Sequence, residues 1–226
     1  MIRSLFVVGL LGAVAAQDFA SPPRVLPTGA TAALAESLKA AAAHTQHVWR
    51  DTAAVNDDRT VNAYVEIGRG DRRKWELDMS VNARAIDRMI PIDIGGYPVN
   101  YGIVPQTISY DGDPFDALVL GPEIPGGSLV RGVIVGVMYM EDANELDSKV
   151  VLSRTGRDGQ PLHELTEAVR REISDYFNQY KKHEPGASSN VPGWGSAAEG
   201  LAYVTTTHAF FRECQGRGAT PCRLDR

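Results

Sequence analysis

From Val61 onward, short apolar runs alternate with turn residues. NAYVEIG, KWELDMS, DALVLG and the long SLVRGVIVGVMYM are rich in β-branched, aromatic and aliphatic side chains, and Gly, Pro and Asp separate them. Closely spaced strands broken by such turns predict a barrel or a sandwich. Within RRKWELDMS the alternation places Lys74, Glu76 and Asp78 on one strand face and Trp75, Leu77 and Met79 on the other. After Pro161 the period changes. Leu162, Leu165, Val169, Ile173 and Phe177 recur at three- and four-residue steps, predicting a helix through LHELTEAVRREISDYFNQYKKH. A second helix is expected over Ser196 to Arg212. The architecture is therefore α+β, a β core flanked by C-terminal helices. Neither an internal repeat nor a nucleotide-binding glycine motif interrupts it.

The first residues follow a different pattern. MIRSLFVVGLLGAVAAQDF has an early Arg3, an apolar run from Leu5, and small residues at Ala13, Ala15 and Ala16, which is the layout of a secretory signal peptide. The run is shorter than the roughly 20 residues of a spanning helix, so a stable membrane anchor is not expected. Cleavage after Ala16 and a mature start near Gln17 follow, with export to a periplasm, an endomembrane lumen or the medium. Residues 17–45 hold Pro22, Pro23 and Pro27 and then the Ala-rich ATAALAESLKAAAAH, an extension made of a linker and a surface helix. Residues 46–226 form the expected functional domain.

Composition narrows the partners. The 226 residues are 43% hydrophobic and 23% charged, enough for a real core, and the net charge of −5 excludes a broad basic surface for nucleic acid. Cys214 and Cys222 are the only cysteines. In an oxidising compartment they are expected to pair, and zinc would need further ligands.

The acidic residues demand a local explanation. Asp111, Asp113 and Asp116 fall within the six residues DGDPFD, where Gly112 and Pro114 forbid a regular helix or central strand. Pro114 holds Asp113 extended. A second acidic turn, EDANELD, follows the longest apolar strand and carries Asp142 and Asp147. If the fold joins these turns, the carboxylates repel unless protonated or bound to a cation. Oxygen donors without His or Cys favour Mg²⁺ or Ca²⁺. EF-hand spacing is absent, since neither the Gly nor the closing Glu of that loop falls in place. Lys74, Arg88, Lys149 and Lys181 are nearby cations of the kind that hold phosphates.

Taken in order, these residues resemble the soluble inorganic pyrophosphatases, the Mg²⁺-dependent β-barrel type with a D-x-D-P-x-D signature. The resemblance runs from about Gln46 to Arg212 through YVEI, KWELD, IDRM, YPVNYG, DGDPFD, DANELDSK and NQYKK. It implies a closed or partly open, OB-like barrel, a homo-oligomer, and inorganic pyrophosphate as substrate with several Mg²⁺ ions per site. It further implies that Asp111, Asp116 and Asp147 hold the activating metals, that Asp142 joins them with substrate, and that Asp113 takes the proton of the attacking water. Lys74, Arg88, Tyr101, Lys149, Tyr180 and Lys181 would grip the phosphates, with Glu66 and Glu76 behind them.

Two features depart from the family pattern. VVLSRTGRDGQPLHEL lacks an expected aspartate-proline element, and the leader and extension are unusual in a family associated with the cytoplasm. Two rival classes stay open: an exported phosphohydrolase acting on polyphosphate or nucleotides, and a non-catalytic divalent-cation-binding module.

Overall fold

The computed structural model describes residues 46–143 and 145–216. The expected signal peptide, the extension with its Ala-rich helix, and Cys222 lie outside the described residues. A short α1 (Val48–Asp51) precedes β1 (Val61–Ile67), β2 (Arg73–Asp78), β3 (Ala83–Met89), β4 (Asn100–Ile103), β5 (Asp116–Leu120), β6 (Leu129–Asp142), β7 (Glu145–Leu146) and β8 (Lys149–Ser153). Then follow α2 (Glu167–Phe177), β9 (Ser189–Gly195) and α3 (Ala197–Gly216).

Five strands close into a ring. β1 pairs with β4, β4 with β5, β5 in parallel with β8, β8 with β6, and β6 returns to β1. Counted along the chain, the barrel strands are therefore met in the order first, second, third, fifth, fourth, as in an OB-like Greek-key barrel. Closure leaves no open edge in that ring. β6 reaches around it by changing partners: β1 at Leu129 to Gly132, β8 at Val133 to Met138, and β9 from Val137 onward, with a bulge between Ile134 and Gly136. The hairpin β2–β3 is a separate two-stranded sheet inserted between the first two barrel strands.

Burial explains the strand sequences. Every residue of β8 is buried, as expected where a parallel pair is covered on both faces. Leu118, Met138 and Val151 pack with Ile173 and Phe177 of α2, while Val119, Val150 and Leu152 pack with Phe115 and with Val204 of α3. At about 25 cal/mol per Å², each fully buried aliphatic side chain contributes roughly 1.5–3 kcal/mol.

The helices depart from expectation at their ends. α2 starts at Glu167, behind the N-cap Thr166, rather than at Leu162. The Leu162 N–H donates to the Arg154 carbonyl and the His163 N–H to Ser153 Oγ, so this stretch is tied to the end of β8 instead of coiling. α3 begins where expected. Ser196 and Glu199 form a reciprocal cap, with the Ser196 N–H donating to Glu199 Oε2 at 2.7 Å and the Glu199 N–H donating to Ser196 Oγ at 3.3 Å. Cys214 is buried with Ile108 and Phe211, anchoring the last turns.

Candidate active site

The two acidic turns converge. The chain from Ser109 to Asp116 makes a tight loop at the start of β5: the Gly112 N–H donates to the Ser109 carbonyl at 3.1 Å and the Ser109 N–H to the Asp113 carbonyl at 2.6 Å. Gly112 has φ of +89°, a conformation costly for any residue with a Cβ. The Asp111 side chain accepts the Asp113 N–H at 2.9 Å, turning the backbone so that Asp113 is exposed and Phe115 buried. Asp142 ends β6 and Asp147 precedes β8, which lies beside β5. Sheet register thus brings Asp116 and Asp147 to one end of the barrel.

A cavity of about 260 Å³ opens there, lined by Asp111, Asp113, Asp116, Asp142 and Asp147. Tyr101, Tyr180, Lys74, Glu76 and Glu66 line it too. The site is composite: β4 and β5, the turn between β6 and β8, and the inserted hairpin all contribute. Those are the surfaces on which OB-like barrels commonly bind ligands.

Lys149 is 1% exposed, and its ammonium donates to Asp116 Oδ2 at 2.6 Å and to Asp147 Oδ1 at 2.7 Å. Burial pulls its pKa down, but the two aspartates outweigh burial and raise it, so the lysine stays charged. Asp116 also accepts the Tyr101 hydroxyl at 2.6 Å. Tyr180 donates to Asp142 at 2.9 Å, and Lys181 pairs with both oxygens of Asp142. Lys149 and Lys181 thus pair with three of the five aspartates, Asp116, Asp147 and Asp142. Burial is the main cause that pushes both the Asp111 and Asp147 carboxyls up, and the neighbouring Asp116 charge adds to each. Among the described residues no three of these groups already close on a single point. The donors are all oxygen and carry an excess of buried negative charge, a set that fits hard divalent cations such as magnesium.

On the inserted hairpin, Lys74 donates to Glu76 at 2.5 Å and to Asp87 at 3.3 Å. The β2–β3 register shifts between Lys74 and Trp75, where Asp87 of β3 is the extra residue, and the cavity draws on both faces of RRKWELDMS: Lys74 and Glu76 from one, Leu77 and Met79 from the other, while Asp78 is absent from its lining. Arg88 lies outside the cavity lining. It stands 2.9 Å from Glu184 and over the Tyr180 ring at 5.6 Å, and its Nη2 makes no aligned hydrogen bond. Glu66 is 4% exposed; burial pushes its carboxyl up to about 8, against the pull of the Leu77 N–H donated to it at 2.6 Å. The Cys214–Cys222 pairing ends on a residue outside the described ones.

Sequence reasoning missed Tyr97 and Phe177, which line the cavity and touch at 6.2 Å between ring centroids. Tyr97 stands in the same YPVNYG stretch as Tyr101, and a four-residue repeat of tyrosine on a predicted turn and strand was the available signal. Phe177 belongs to the apolar period of α2, and it both packs in the core and lines the cavity.

Comparison with known proteins agrees with this geometry. Residues 63–212 match the family model of inorganic pyrophosphatase. The inorganic pyrophosphatase of Saccharolobus solfataricus is 35% identical over 146 residues, 62% of this chain and 84% of its own length. That of Gluconobacter oxydans is 33% identical over 146 residues, again 62% and 84%. Among solved structures, an inorganic pyrophosphatase from Coxiella burnetii superposes with a TM-score of 0.66 at 32% identity, covering 71% of this chain and 99% of its own. One from Thermus thermophilus gives 0.67 at 29% identity, covering 74% and 99%.

Proposed function

The chain belongs to the inorganic pyrophosphatase family, and on that premise we propose how its cavity performs the hydrolysis of inorganic pyrophosphate to two orthophosphates. The observation that carries the reading is one cavity of about 260 Å³ in which five aspartates face Lys74, Tyr101 and Tyr180.

Asp111, Asp116 and Asp147 would hold magnesium, with Asp142 joining when substrate brings further charge. Bound there, magnesium neutralises the phosphoryl oxygens and acidifies water. Asp113 accepts the proton of the attacking water: it is exposed, it lines the cavity, and the Asp111 turn and Pro114 aim it. Lys74 offers its ammonium to a phosphate in exchange for Glu76. Arg88, whose Nη2 lacks an aligned partner, can turn from Glu184 toward the same anion. Tyr101 and Tyr180 keep their protons because burial, with Asp116 and Asp142 respectively beside them, raises their pKa values. They therefore donate neutral hydrogen bonds at working pH. Lys149 offsets the charge of Asp116 and Asp147, Lys181 offsets that of Asp142, and both supply positive charge for the leaving phosphate.

The deciding experiment compares phosphate release from pyrophosphate, triphosphate and ATP in Mg²⁺. Strong preference for pyrophosphate is expected. Equal turnover of ATP would overturn the substrate assignment, and metal-dependent thermal stabilisation without any turnover would reduce the protein to a cation-binding module.

Two further parts of the reading concern the whole protein. The leader-like Met1 to Ala16 supports export of a mature chain starting near Gln17, which the intact mass of secreted material checks. Exposed Ile86, Met89 and Ile92 on and beside the hairpin support self-association, measurable by light scattering.

A further inference from the structure

The hairpin that carries Lys74, Glu76 and Arg88 belongs to no barrel sheet, so something else must set its height over the cavity. Its tip is tied to the preceding segment: the Val48 N–H donates to Asn82 Oδ1 at 2.9 Å, and Asn82 Nδ2 donates to the Gln46 carbonyl at 3.0 Å. At its base, Arg72 bonds back to the Ile90 carbonyl within the insertion. Only the middle reaches β1, and it does so twice at one residue. The Leu77 N–H donates to the Glu66 side chain, and Arg84 Nη1 donates to the Glu66 carbonyl at 2.5 Å.

Arg84 does more than make that bond. Its guanidinium lies 4.7 Å from the centre of the Trp75 ring, with Arg73 at 5.5 Å from the same ring. Trp75 stands between Lys74 and Glu76 in sequence. The barrel side is shaped to receive the guanidinium: a Cβ on Gly126 would lie 1.8 Å from Arg84 Nη1 and 2.7 Å from the Glu66 carbonyl oxygen. A flat, charged fork is thus slotted between an indole and two stretches of barrel backbone. Lysine, a point charge on a flexible stem, cannot reproduce stacking and directed bonding together.

We infer that Arg84 is a positioning residue for pyrophosphate binding, which locks the β2–β3 hairpin onto β1 and thereby fixes where Lys74 stands at the cavity and Arg88 beside it. The inference rests on the proposal that those two cations bind the phosphates. Arg84 itself is absent from the cavity lining, so its effect must pass through Trp75 and Glu66.

The experiment measures pyrophosphate hydrolysis for Arg84→Met, Arg84→Lys, Gly126→Ala and Lys74→Met, with thermal melts establishing that each folds. Tryptophan emission is recorded alongside, in a Trp49→Phe, Trp194→Phe background that leaves Trp75 as reporter. Arg84→Met and Arg84→Lys are both expected to raise KM about tenfold with kcat within about threefold, the size of a lost charged hydrogen bond. Gly126→Ala, which displaces Arg84 without removing it, is expected to do the same, and all three should shift Trp75 emission. Mg²⁺ affinity, read by calorimetry without substrate, should not change. A wild-type KM in Arg84→Lys would mean that charge alone matters and would overturn the inference, as would a loss of Mg²⁺ affinity in parallel with activity. Lys74→Met separates the two levels: if it raises KM while the Arg84 variants do not, only the lock is wrong, and if it leaves KM unchanged, the phosphate-binding assignment falls with it.

Discussion

The two walls of the cavity are built differently. The carboxylate wall is part of the closed barrel: β5 and β8 are buried on both faces, and Asp116 and Asp147 are cross-linked by the ammonium of a lysine that is 1% exposed. The cationic wall is a two-stranded hairpin with Ile86 and Met89 turned to solvent and a few side-chain ties to its surroundings. An isolated hairpin is marginal in water, so the ties determine its position. Carboxylates that must share desolvated charge need a rigid frame. Cations that must meet and release an anion do not. If this division is real, substitutions on the barrel wall act on kcat and metal affinity, and substitutions on the hairpin act on KM.

The largest effect is expected at Asp113. Replacing Asp113 with Asn keeps size and removes basicity, so kcat is expected to fall by roughly 10² to 10⁴ while Mg²⁺ affinity changes little. Raising pH should restore part of the rate, because hydroxide replaces the missing base. Parallel loss of Mg²⁺ binding would make Asp113 a ligand instead. The companion pair is Asp116→Asn against Asp78→Asn: the first is expected to weaken Mg²⁺ activation, while the second, on the hairpin and outside the cavity, should leave it intact. Equal Mg²⁺ dependence in the two would erase the distinction between the walls.

Next comes the lysine cross-link. Lys149→Met leaves Asp116 and Asp147 facing each other without their shared ammonium, and removing one member of a buried ionic group costs about 3 kcal/mol. Urea unfolding in EDTA should report that loss, and saturating Mg²⁺ should narrow it, since divalent charge then offsets the repulsion. An equal loss with and without Mg²⁺ would mean that packing, not charge, gives Lys149 its role.

Glu66 joins the two walls and carries a pH signature. Burial raises its folded pKa to about 8, above the unfolded value of about 4.5, so between those pH values the folded chain holds a proton that the unfolded chain has lost. Stability of the metal-free protein therefore falls as pH rises through this window and levels off above about 8, with a slope of at most about 1.4 kcal/mol per pH unit from this group. Glu66→Gln removes that slope. The comparison is urea midpoints at pH 6 and pH 8 in EDTA, and the same pH dependence in both proteins would show that Glu66 does not hold its proton in the fold.

Much of this was legible in the sequence because it is local. The strands at NAYVEIG, DALVLG and SLVRGVIVGVMYM declare themselves by their apolar runs, and DGDPFD by its turn chemistry. The ring closure was not derivable from those runs, since β6 changes partners along its length and β4 and β8 are short. Periodicity also placed the start of α2 too early, at Leu162, because a pattern of apolar spacing cannot register that the N–H groups of Leu162 and His163 are taken by the end of β8. Lys149 was legible as a candidate phosphate-binding cation beside an acidic turn, but its burial was not. Only the parallel pairing of β5 with β8 puts it between two aspartates. Arg84 carried no signal at all, for its partners Trp75, Glu66 and Gly126 come together through tertiary contacts.

The smallest expected effect is at the hairpin tip, and it tests which tie governs the cationic wall. Asn82 has φ of +54°, a region open mainly to Gly, Asn and Asp, and its side chain makes both bonds to the segment at Gln46 and Val48. Asn82→Gly keeps the turn and deletes the bonds, while Asn82→Ala deletes the bonds and adds about 1 kcal/mol of backbone strain. Each lost bond contributes roughly 0.5–1.5 kcal/mol, so both variants should unfold earlier, Ala before Gly. KM is expected to stay within about twofold in both, because the stretch from Lys74 to Leu77 is held at Glu66 and not at the tip. A KM rise in Asn82→Gly as large as that of Arg84→Met would show that the hairpin moves as one lever pivoting on its tip, and the division between a rigid barrel wall and a locally anchored cationic wall would have to be redrawn around Asn82.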